Sequence, residues 1–360
     1  MDYKKIIPGL LLLGALLGTL FHFTAAPEEP RPRVGFIILG DVEDPGWNAS
    51  HYEGIRAACK KHGAELLVRD HVRENSGECP KAAKELIDAG CGMIVLASFN
   101  YPEEVKDLAN EHPEIAFAAT SPKAYAANMT AYFPRMYQGR YLAGALAGMR
   151  TKTNVIGYVA AMPNSEVHRG INAFTLGAQR MNPKVKVIVA FTNDWEAPKK
   201  EAAFTERMIR EKGADIMTYH QDDAAVAETA DRLGVDFIVY NAPIPKGLTH
   251  GLASIRCRWD IYYDDILSRY QKGELNMMKN HWIGIDRQAI LLDEVFPEIT
   301  EDMRAHLYFL QRGLLGHQLI FLGPLVDNKG VLRCAAGEAI CDDALLESID
   351  WLIQGVSLLD

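Results

Sequence analysis

The sequence lacks an excess of positive charge and lacks the short motifs that mark common enzyme classes. Its 360 residues carry 38 Lys and Arg against 47 Asp and Glu, which gives a formal net charge of −9. Because contacts to nucleic-acid phosphates need concentrated Lys and Arg, this balance argues against a nucleic-acid-binding protein. No G-x-x-x-x-G-K-[ST] phosphate loop, H-E-x-x-H zinc motif or G-x-S-x-G nucleophile elbow occurs. We therefore expect a binding protein rather than an enzyme.

The six cysteines lack the C-x-x-C spacing of zinc sites and thioredoxin-like redox motifs. We accordingly expect neither a metal site nor a cofactor. Cys59 and Cys91 fit isolated buried cysteines, which behave as small apolar side chains. Cys334 and Cys341 flank a short glycine-containing segment and could form a disulfide in an oxidising compartment. The pairing of these last two stays open.

The chain begins with a long apolar run. Lys4 and Lys5 precede residues 6–23, which contain no Lys, Arg, Asp or Glu, and small residues lead up to Ala26. A basic start, an apolar middle and a small-residue exit predict an export signal over 1–26. The run also approaches membrane-spanning length, so an uncleaved membrane anchor is an equal alternative. Residues 27–32 predict a stiff proline-rich spacer. In both alternatives the remaining chain lies outside the cytoplasm.

After residue 33, short apolar runs alternate with longer amphipathic ones. We predict strands over 34–39, 65–69, 93–97, 115–119, 155–160, 186–191, 215–219 and 236–240. Helices are predicted over 48–62, 79–89, 102–112, 137–149, 167–181, 198–212 and 224–233. Strands separated by helices indicate βαβ units and parallel sheets. Because the second half repeats the pattern of the first, the sequence predicts an α/β protein of two similar lobes facing across a cleft.

The residues that follow the predicted strands are the candidates for a ligand site, because ligands of open parallel sheets bind beyond the carboxyl ends of the strands. The candidates are Trp47, Asn48, Phe99, Tyr101, Trp195, His220, Asp222 and Asn241. Aromatic faces stack on a flat ring, whereas amide and carboxylate groups bind its polar edge, so this set fits a polar heterocycle. Structural roles stay open as well. Asn48 and Asp222 also suit helix caps, and Phe99 and Tyr101 also suit packing.

Several longer runs carry a resemblance to a known family. The most specific are 320–330 (IFLGPLVDNKG), Gly337-Glu338 and 350–356 (DWLIQGV), and the runs 137–148 and 166–178 also fit. From about Val34 onward the chain resembles the basic membrane protein (BMP) family of ABC-transporter substrate-binding proteins, in its PnrA-like purine-nucleoside receptor group. The resemblance implies a type I periplasmic-binding-protein fold with two Rossmann-like lobes, three crossovers and closure around a small-molecule ligand. It also implies an ABC-transporter permease as the partner.

The implied division assigns 33–133 and about 245–278 to an N-terminal lobe, and 134–244 and about 279–360 to a C-terminal lobe. The family's aromatic–Asn pair falls on Trp47 and Asn48, and its second-lobe aromatic residue falls on or near Trp195. Its ligand-facing loop falls on 220–222.

Two departures bear on the ligand. Nucleoside-binding members carry an acidic residue where this chain has Asn241, and a lysine near 254–259, where this chain has none. Because those two groups hold the ribose, their absence favours a bare purine base of the adenine type, with Asp222 accepting from the exocyclic amine. A purine nucleoside receptor, and a sensor that passes its ligand to a membrane signalling protein, remain the alternatives.

Overall fold

The computed structural model describes residues 32–44, 46–275, 277, 279–296 and 299–360. The predicted export signal or anchor over 1–26 lies outside these residues, as does nearly all of the spacer. Within the described ranges, no helix is both long enough and apolar enough to cross a membrane.

The first lobe begins with β1 (Arg33–Ile37), α1 (Trp47–Lys61), β2 (Glu65–Arg69), α2 (Glu78–Asp88), β3 (Met93–Leu96), α3 (Tyr101–Glu104), α4 (Lys106–Glu111), β4 (Ala116–Thr120) and β5 (Met129–Pro134).

The second lobe follows, and the chain later returns once to the first. The second lobe contains α5 (Met136–Arg150), β6 (Val155–Ala160), α6 (Ser165–Met181), β7 (Lys186–Phe191), α7 (Pro198–Lys212), β8 (Ile216–His220), α8 (Ala225–Arg232), β9 (Asp236–Tyr240) and β10 (Gly251–Cys257). The return to the first lobe consists of α9 (Trp259–Gln271) and β11 (Asn280–Ile283). The chain ends in the second lobe with a 3₁₀ turn (Ile285–Arg287), β12 (Ile290–Asp293), α10 (Glu301–Leu315), β13 (Leu325–Val326), β14 (Leu332–Cys334), α11 (Asp342–Glu347) and β15 (Val356–Leu358).

Each lobe is built on a mostly parallel sheet. The first sheet has the strand order β11-β5-β4-β3-β1-β2, and the second has the order β12-β10-β9-β8-β6-β7-β15. In these two sheets β12 runs antiparallel to β10. Central strands such as β3 and β8 are buried along their whole length, as expected where helices cover both faces of a sheet. The predicted two-lobed α/β class is confirmed.

The chain passes between the lobes after β5, after β10 and after β11. Three crossovers were expected, but two of them lie elsewhere than the implied division placed them. Segment 245–278 was assigned to the N-terminal lobe, yet β10 pairs with β9 in the second sheet. Segment 279–360 was assigned to the C-terminal lobe, yet β11 pairs with β5 in the first sheet. The boundaries move because strand pairing, rather than chain order, decides which lobe a segment joins.

Helices α5 and α6 pack backbone to backbone in the second lobe. A Cβ atom on Gly144 would lie 1.9 Å from the Phe174 carbonyl oxygen, and one on Gly177 would lie 2.0 Å from the Tyr141 carbonyl oxygen. Any side chain at these positions would therefore collide with the facing helix. The glycines fall in the two runs, 137–148 and 166–178, that carry part of the family resemblance. Their packing fixes where the amino-terminus of α6 enters the cleft.

The cysteines differ in part from expectation. All six lie among the described residues and all six are free. The disulfide between Cys334 and Cys341, which the sequence left open, is therefore not formed in this structure. The Cys334 thiol instead donates to the Glu338 carbonyl oxygen at 3.2 Å, while Cys341 is exposed. Cys59 and Cys91 are buried, as predicted.

Candidate ligand-binding site

A pocket lies between the two lobes, where the strand ends of both sheets face each other. Its empty volume, which includes space open to solvent, is about 400 Å³. The first lobe lines it with Leu39, Trp47, Ser98, Phe99, Thr120 and Phe133. The second lobe lines it with Glu166, Trp195, His220, Asp222 and Tyr240. The pocket therefore has the position that open parallel sheets give to their ligands.

The lobes touch each other beside this pocket. A Cβ atom on Gly46, in the first lobe, would lie only 3.2 Å from the backbone oxygen of Asp222, in the second. Gly46 also has φ of 113°, in the region that favours glycine. Both the backbone angle and the close approach of the second lobe therefore favour glycine at this position. The Asn241 side-chain amide donates to the Ser50 hydroxyl at 3.2 Å, which links the second lobe to α1. The structure is thus a closed form.

Trp47 is held in place by first-lobe contacts. Its indole N–H donates to the Ala97 carbonyl oxygen at 2.8 Å. Its ring packs edge-on against Trp259 with centroids 5.3 Å apart, and Trp259 in turn stacks on His51 at 3.6 Å. These neighbours are buried, so the indole cannot rotate freely. Trp47 therefore gives the pocket a preformed aromatic wall.

Phe99 forms a second part of the first-lobe wall. It meets Phe133 edge-on, with ring centroids 6.3 Å apart. The loop that carries it is fixed by Glu74, whose carboxylate accepts from the Ser98 hydroxyl at 2.5 Å and from the Asn100 backbone N–H at 2.7 Å. The first lobe thus presents apolar rings on a loop anchored by hydrogen bonds.

Trp195 and Asp222 come from adjacent loops of the second lobe that are bonded together. The backbone N–H of Asp222 donates to the Trp195 carbonyl oxygen at 2.9 Å. Glu201 adds to this connection, because its carboxyl oxygen accepts from the Ala197 N–H at 2.9 Å. Burial, together with the neighbouring Asp223 carboxyl, raises the pKa of Glu201 to about 9. Glu201 is therefore protonated at neutral pH and can share its proton with Asp223.

The Asp222 carboxyl faces the pocket without a protein donor. No described residue forms a hydrogen bond with its side chain, and its neighbours include several other carboxylates. Burial, followed by the nearby charges of Glu166, Glu196 and Asp223, raises the pKa of Asp222 well above its ordinary value. A carboxyl in this situation favours a ligand that brings an N–H or O–H donor.

His220 and Glu166 form the inner polar corner of the pocket. The His220 Nε2 atom lies 3.6 Å from a Glu166 carboxylate oxygen, beyond hydrogen-bonding distance but close enough for attraction. Burial nevertheless lowers the pKa of His220, so its ring is neutral at neutral pH. Its Nδ1 atom is buried and has no partner in the described part of the chain. The ring lies against Tyr240, with centroids 4.2 Å apart.

Two buried arginines offset the negative charge of this corner. The Arg140 guanidinium lies 4.1 Å from the Tyr240 ring centroid and donates to the Tyr219 carbonyl oxygen at 2.8 Å. Arg169 donates to the Leu345 carbonyl oxygen, and burial lowers its pKa to about 10. The second lobe therefore supplies ionisable groups in addition to the Trp195 and Tyr240 rings, whereas the described pocket residues of the first supply rings and hydroxyls but no ionisable side chain.

Five of the eight predicted site residues meet in the pocket: Trp47, Phe99, Trp195, His220 and Asp222. The other three lie elsewhere. Asn48 borders the wider cleft outside the pocket, and its side-chain Oδ1 atom accepts from the Gly40 N–H at 3.4 Å. Tyr101 is fully buried in the first-lobe core, where its hydroxyl donates to the Val72 carbonyl oxygen. Asn241 forms the interlobe hydrogen bond and accepts from the Cys257 N–H at 3.3 Å.

Six further residues line the pocket but were not among the predicted site residues: Leu39, Ser98, Thr120, Phe133, Glu166 and Tyr240. Thr120 and Tyr240 are the last residues of β4 and β9, and Leu39 and Ser98 lie two residues after β1 and β3. All four therefore lie at strand ends, where ligand contacts were expected. Phe133 lies one residue before the end of β5, a strand that was not predicted. Glu166 is an acidic residue in the first turn of a helix that follows a central strand, a feature that many helices share and that does not by itself mark a ligand contact.

Comparisons with known proteins show the family of this chain. The family described as "ABC transporter substrate-binding protein PnrA-like" (Bmp) matches residues 31–308. A purine-binding protein of Brucella abortus is 29% identical over 92% of this chain and 95% of its own. A putative ABC-transporter glucose-binding protein of Haloferax volcanii is 27% identical over 91% of this chain and 81% of its own.

A solved solute-binding protein of an ABC transporter from Conexibacter woesei superposes with a TM-score of 0.66. It covers 80% of this chain and 97% of its own, at 18% identity, and so supports the fold. The proteins of this family are ABC-transporter substrate-binding proteins that act outside the cytoplasm. With the family match spanning most of the described chain, the protein belongs to the Bmp family of PnrA-like ABC-transporter substrate-binding proteins.

Proposed function

We propose that this protein is the exported or membrane-anchored receptor of an ABC importer and that it binds a purine base of the adenine type. The observation that carries the proposal is the closed pocket, which has aromatic rings from both lobes around the unpaired carboxyl of Asp222. Aromatic faces suit a flat heterocycle, and the carboxyl suits an exocyclic amine. The purine-binding relative from Brucella supports the same ligand class.

The surroundings of Asn241 favour a base over a nucleoside. Its side chain is occupied by Ser50 and by the Cys257 N–H, and Asn241 does not line the pocket. The segment 254–259 offers arginines but no lysine, and none of its residues lines the pocket. The groups that would hold a ribose are therefore absent from the positions where nucleoside-binding members have them.

Binding proceeds by closure of the lobes in this proposal. A ligand that contacts Trp47 in the first lobe and Trp195 in the second stabilises the closed form over the open one, because only the closed form offers both contacts. The Asn241–Ser50 hydrogen bond forms only when the lobes meet and adds to that preference. The closed receptor then docks on the permease, and the ligand leaves chemically unchanged.

Calorimetric titration of the purified protein tests the proposal. Adenine is expected to bind more tightly than adenosine, guanine or hypoxanthine, and glucose is expected to give no heat. Glucose is included because the Haloferax relative carries that name. Binding of glucose with no response to any purine would contradict the ligand class. Tighter binding of adenosine than adenine would keep the purine and overturn the preference for the base.

A further inference from the structure

We propose that Glu166 is a specificity-determining residue that accepts a hydrogen bond from the imidazole-ring N–H of an unsubstituted purine. The pocket would thereby discriminate against purines substituted at N9. This inference rests on the proposed function and extends it to a residue that neither the strand-end argument nor the family resemblance assigned to the ligand.

The position of Glu166 at the start of α6 places its carboxylate inside the pocket. Glu166 is the second residue of α6, and only 7% of its side chain is exposed. The helix begins with a regular cap, in which the Asn164 side chain accepts from the Val167 N–H at 3.0 Å. The positive end of the helix dipole therefore stabilises the Glu166 carboxylate.

This carboxylate has no hydrogen-bond donor within the described chain. The His220 Nε2 atom, at 3.6 Å, is too distant to form a full hydrogen bond. Arg169, one turn further along α6, donates from its Nη1 atom to the Leu345 and Leu346 carbonyl oxygens. Because a buried charged acceptor is unfavourable without a donor, the ligand is the natural source of one.

Two such carboxylates face the same pocket, and their charges oppose each other. The negative charge of Glu166 is one of the causes that raise the pKa of Asp222. A free base such as adenine has donors at two separate edges, the exocyclic amine and the imidazole-ring N–H. It can satisfy Asp222 with the first and Glu166 with the second. An N9-substituted purine keeps the amine but loses the ring donor, which leaves Glu166 buried and unpaired.

The test compares adenine with 9-methyladenine, which differs only by replacement of the ring N–H with N–CH₃. Both are titrated by calorimetry into the wild-type protein, Glu166→Ala, Glu166→Gln and Asp222→Asn. We expect the wild type to bind 9-methyladenine about 10- to 100-fold more weakly than adenine, the effect of leaving a charged group without its donor. Glu166→Ala is expected to bind both ligands with nearly equal affinity. Asp222→Asn is expected to weaken both and to keep their ratio.

Glu166→Gln separates hydrogen bonding from shape. The amide has the size of the carboxylate, so a purely steric rejection of the methyl group would persist in this variant. Loss of the charge weakens the hydrogen bond, so we expect the preference for adenine to fall severalfold. Glu301→Ala is the control for folding, because Glu301 is also an acidic residue in a first helical turn of the second lobe but is exposed and outside the pocket.

The outcomes distinguish the two proposals. A wild-type protein that binds no purine overturns both. A wild type that binds adenine and 9-methyladenine equally overturns the role of Glu166 and leaves the purine receptor intact. An unchanged adenine preference in Glu166→Ala has the same meaning, whereas its disappearance in Glu166→Ala with an unchanged ratio in Asp222→Asn supports the assignment. Thermal unfolding of each variant beside Glu301→Ala verifies that the affinities refer to folded protein.

Discussion

The two lobes contribute unlike halves to one pocket. The first lobe supplies mostly apolar walls, with Trp47 fixed by Ala97 and by the rings behind it. The second lobe supplies the ionisable side chains of the pocket, namely Glu166, His220 and Asp222. A preformed apolar wall provides contact area for any flat ring, whereas unpaired acceptors discriminate among rings. The comparison therefore assigns contact area mainly to the first lobe and selectivity mainly to the second.

The largest expected effect is at the carboxyl of the second lobe. Asp222→Ala removes the acceptor that has no protein donor, so adenine loses the hydrogen bond made by its exocyclic amine. We expect a loss of about 2 to 3 kcal/mol in binding free energy, measured by calorimetry. Asp302→Ala, at an exposed position in the first turn of α10, is the control and should bind normally. Equal affinity of Asp222→Ala and wild type would remove Asp222 from the site.

Replacing the fixed ring of the first lobe has the next largest effect. Trp47→Leu keeps an apolar side chain but removes the stacking surface, and adenine affinity should fall by about 2 kcal/mol. Trp47→Phe should recover part of this loss. If only the second lobe discriminates between the two purines, the ratio of adenine to 9-methyladenine affinity stays the same in both variants as in the wild type. A change in that ratio would show that the first lobe also selects.

A pH series tests the protonated carboxyl that connects the second-lobe loops. The pKa of Glu201 is raised to about 9, so the folded protein holds a proton that the unfolded chain releases above its ordinary pKa of 4.5. As pH rises from about 4.5 to 9, the wild type should lose stability relative to Glu201→Gln, which cannot ionise. At pH 9 we expect Glu201→Gln to be more stable by at least about 1 kcal/mol, and below pH 4.5 to have no such advantage.

Urea unfolding at pH 4, 7 and 9 measures this difference. Glu301→Gln, at an exposed first-turn position, should follow the wild type at all three pH values. Stability curves of Glu201→Gln and wild type that run parallel across the range would contradict a protonated Glu201.

The smallest effect separates a core residue from a site residue. Tyr101 was predicted to contact the ligand, but its hydroxyl donates to the Val72 carbonyl oxygen inside the first lobe. Tyr101→Phe should lower the free energy of unfolding by about 1 kcal/mol, the net value of one hydrogen bond. Adenine affinity should be unchanged. Weaker binding without a loss of stability would place Tyr101 back among the ligand contacts.

The regular part of the fold could be predicted from the sequence because burial by helices on both sides makes parallel strands apolar along their length. Runs such as 93–97 and 236–240 therefore stood out between amphipathic helices. The crossovers between the lobes after β10 and after β11 could not be predicted from the alternation of strands and helices. Strand β10 follows β9 with no helix between them, and β11 pairs with the distant β5. Long-range pairing of this kind leaves no local pattern.

Aromatic residues that directly follow a strand could be predicted as site residues from the sequence. Whether such a side chain points into the pocket or into the core could not. Phe99 and Tyr101 lie two residues apart, yet Phe99 lines the pocket whereas α3 turns Tyr101 into the core. Glu166 resembles an ordinary acidic residue in a first helical turn, and its meaning depends on the absence of a donor. Such an absence exists only in three dimensions, because it depends on where Arg169 and His220 point.

A crystal structure of the protein with adenine tests the central claim most directly. We predict a closed form with the purine ring between Trp47 and Trp195, its exocyclic amine at the Asp222 carboxyl and its imidazole-ring N–H at Glu166. Adenine bound outside the pocket that these four residues line, or a pocket that stays empty in crystals grown with saturating adenine, would contradict the account.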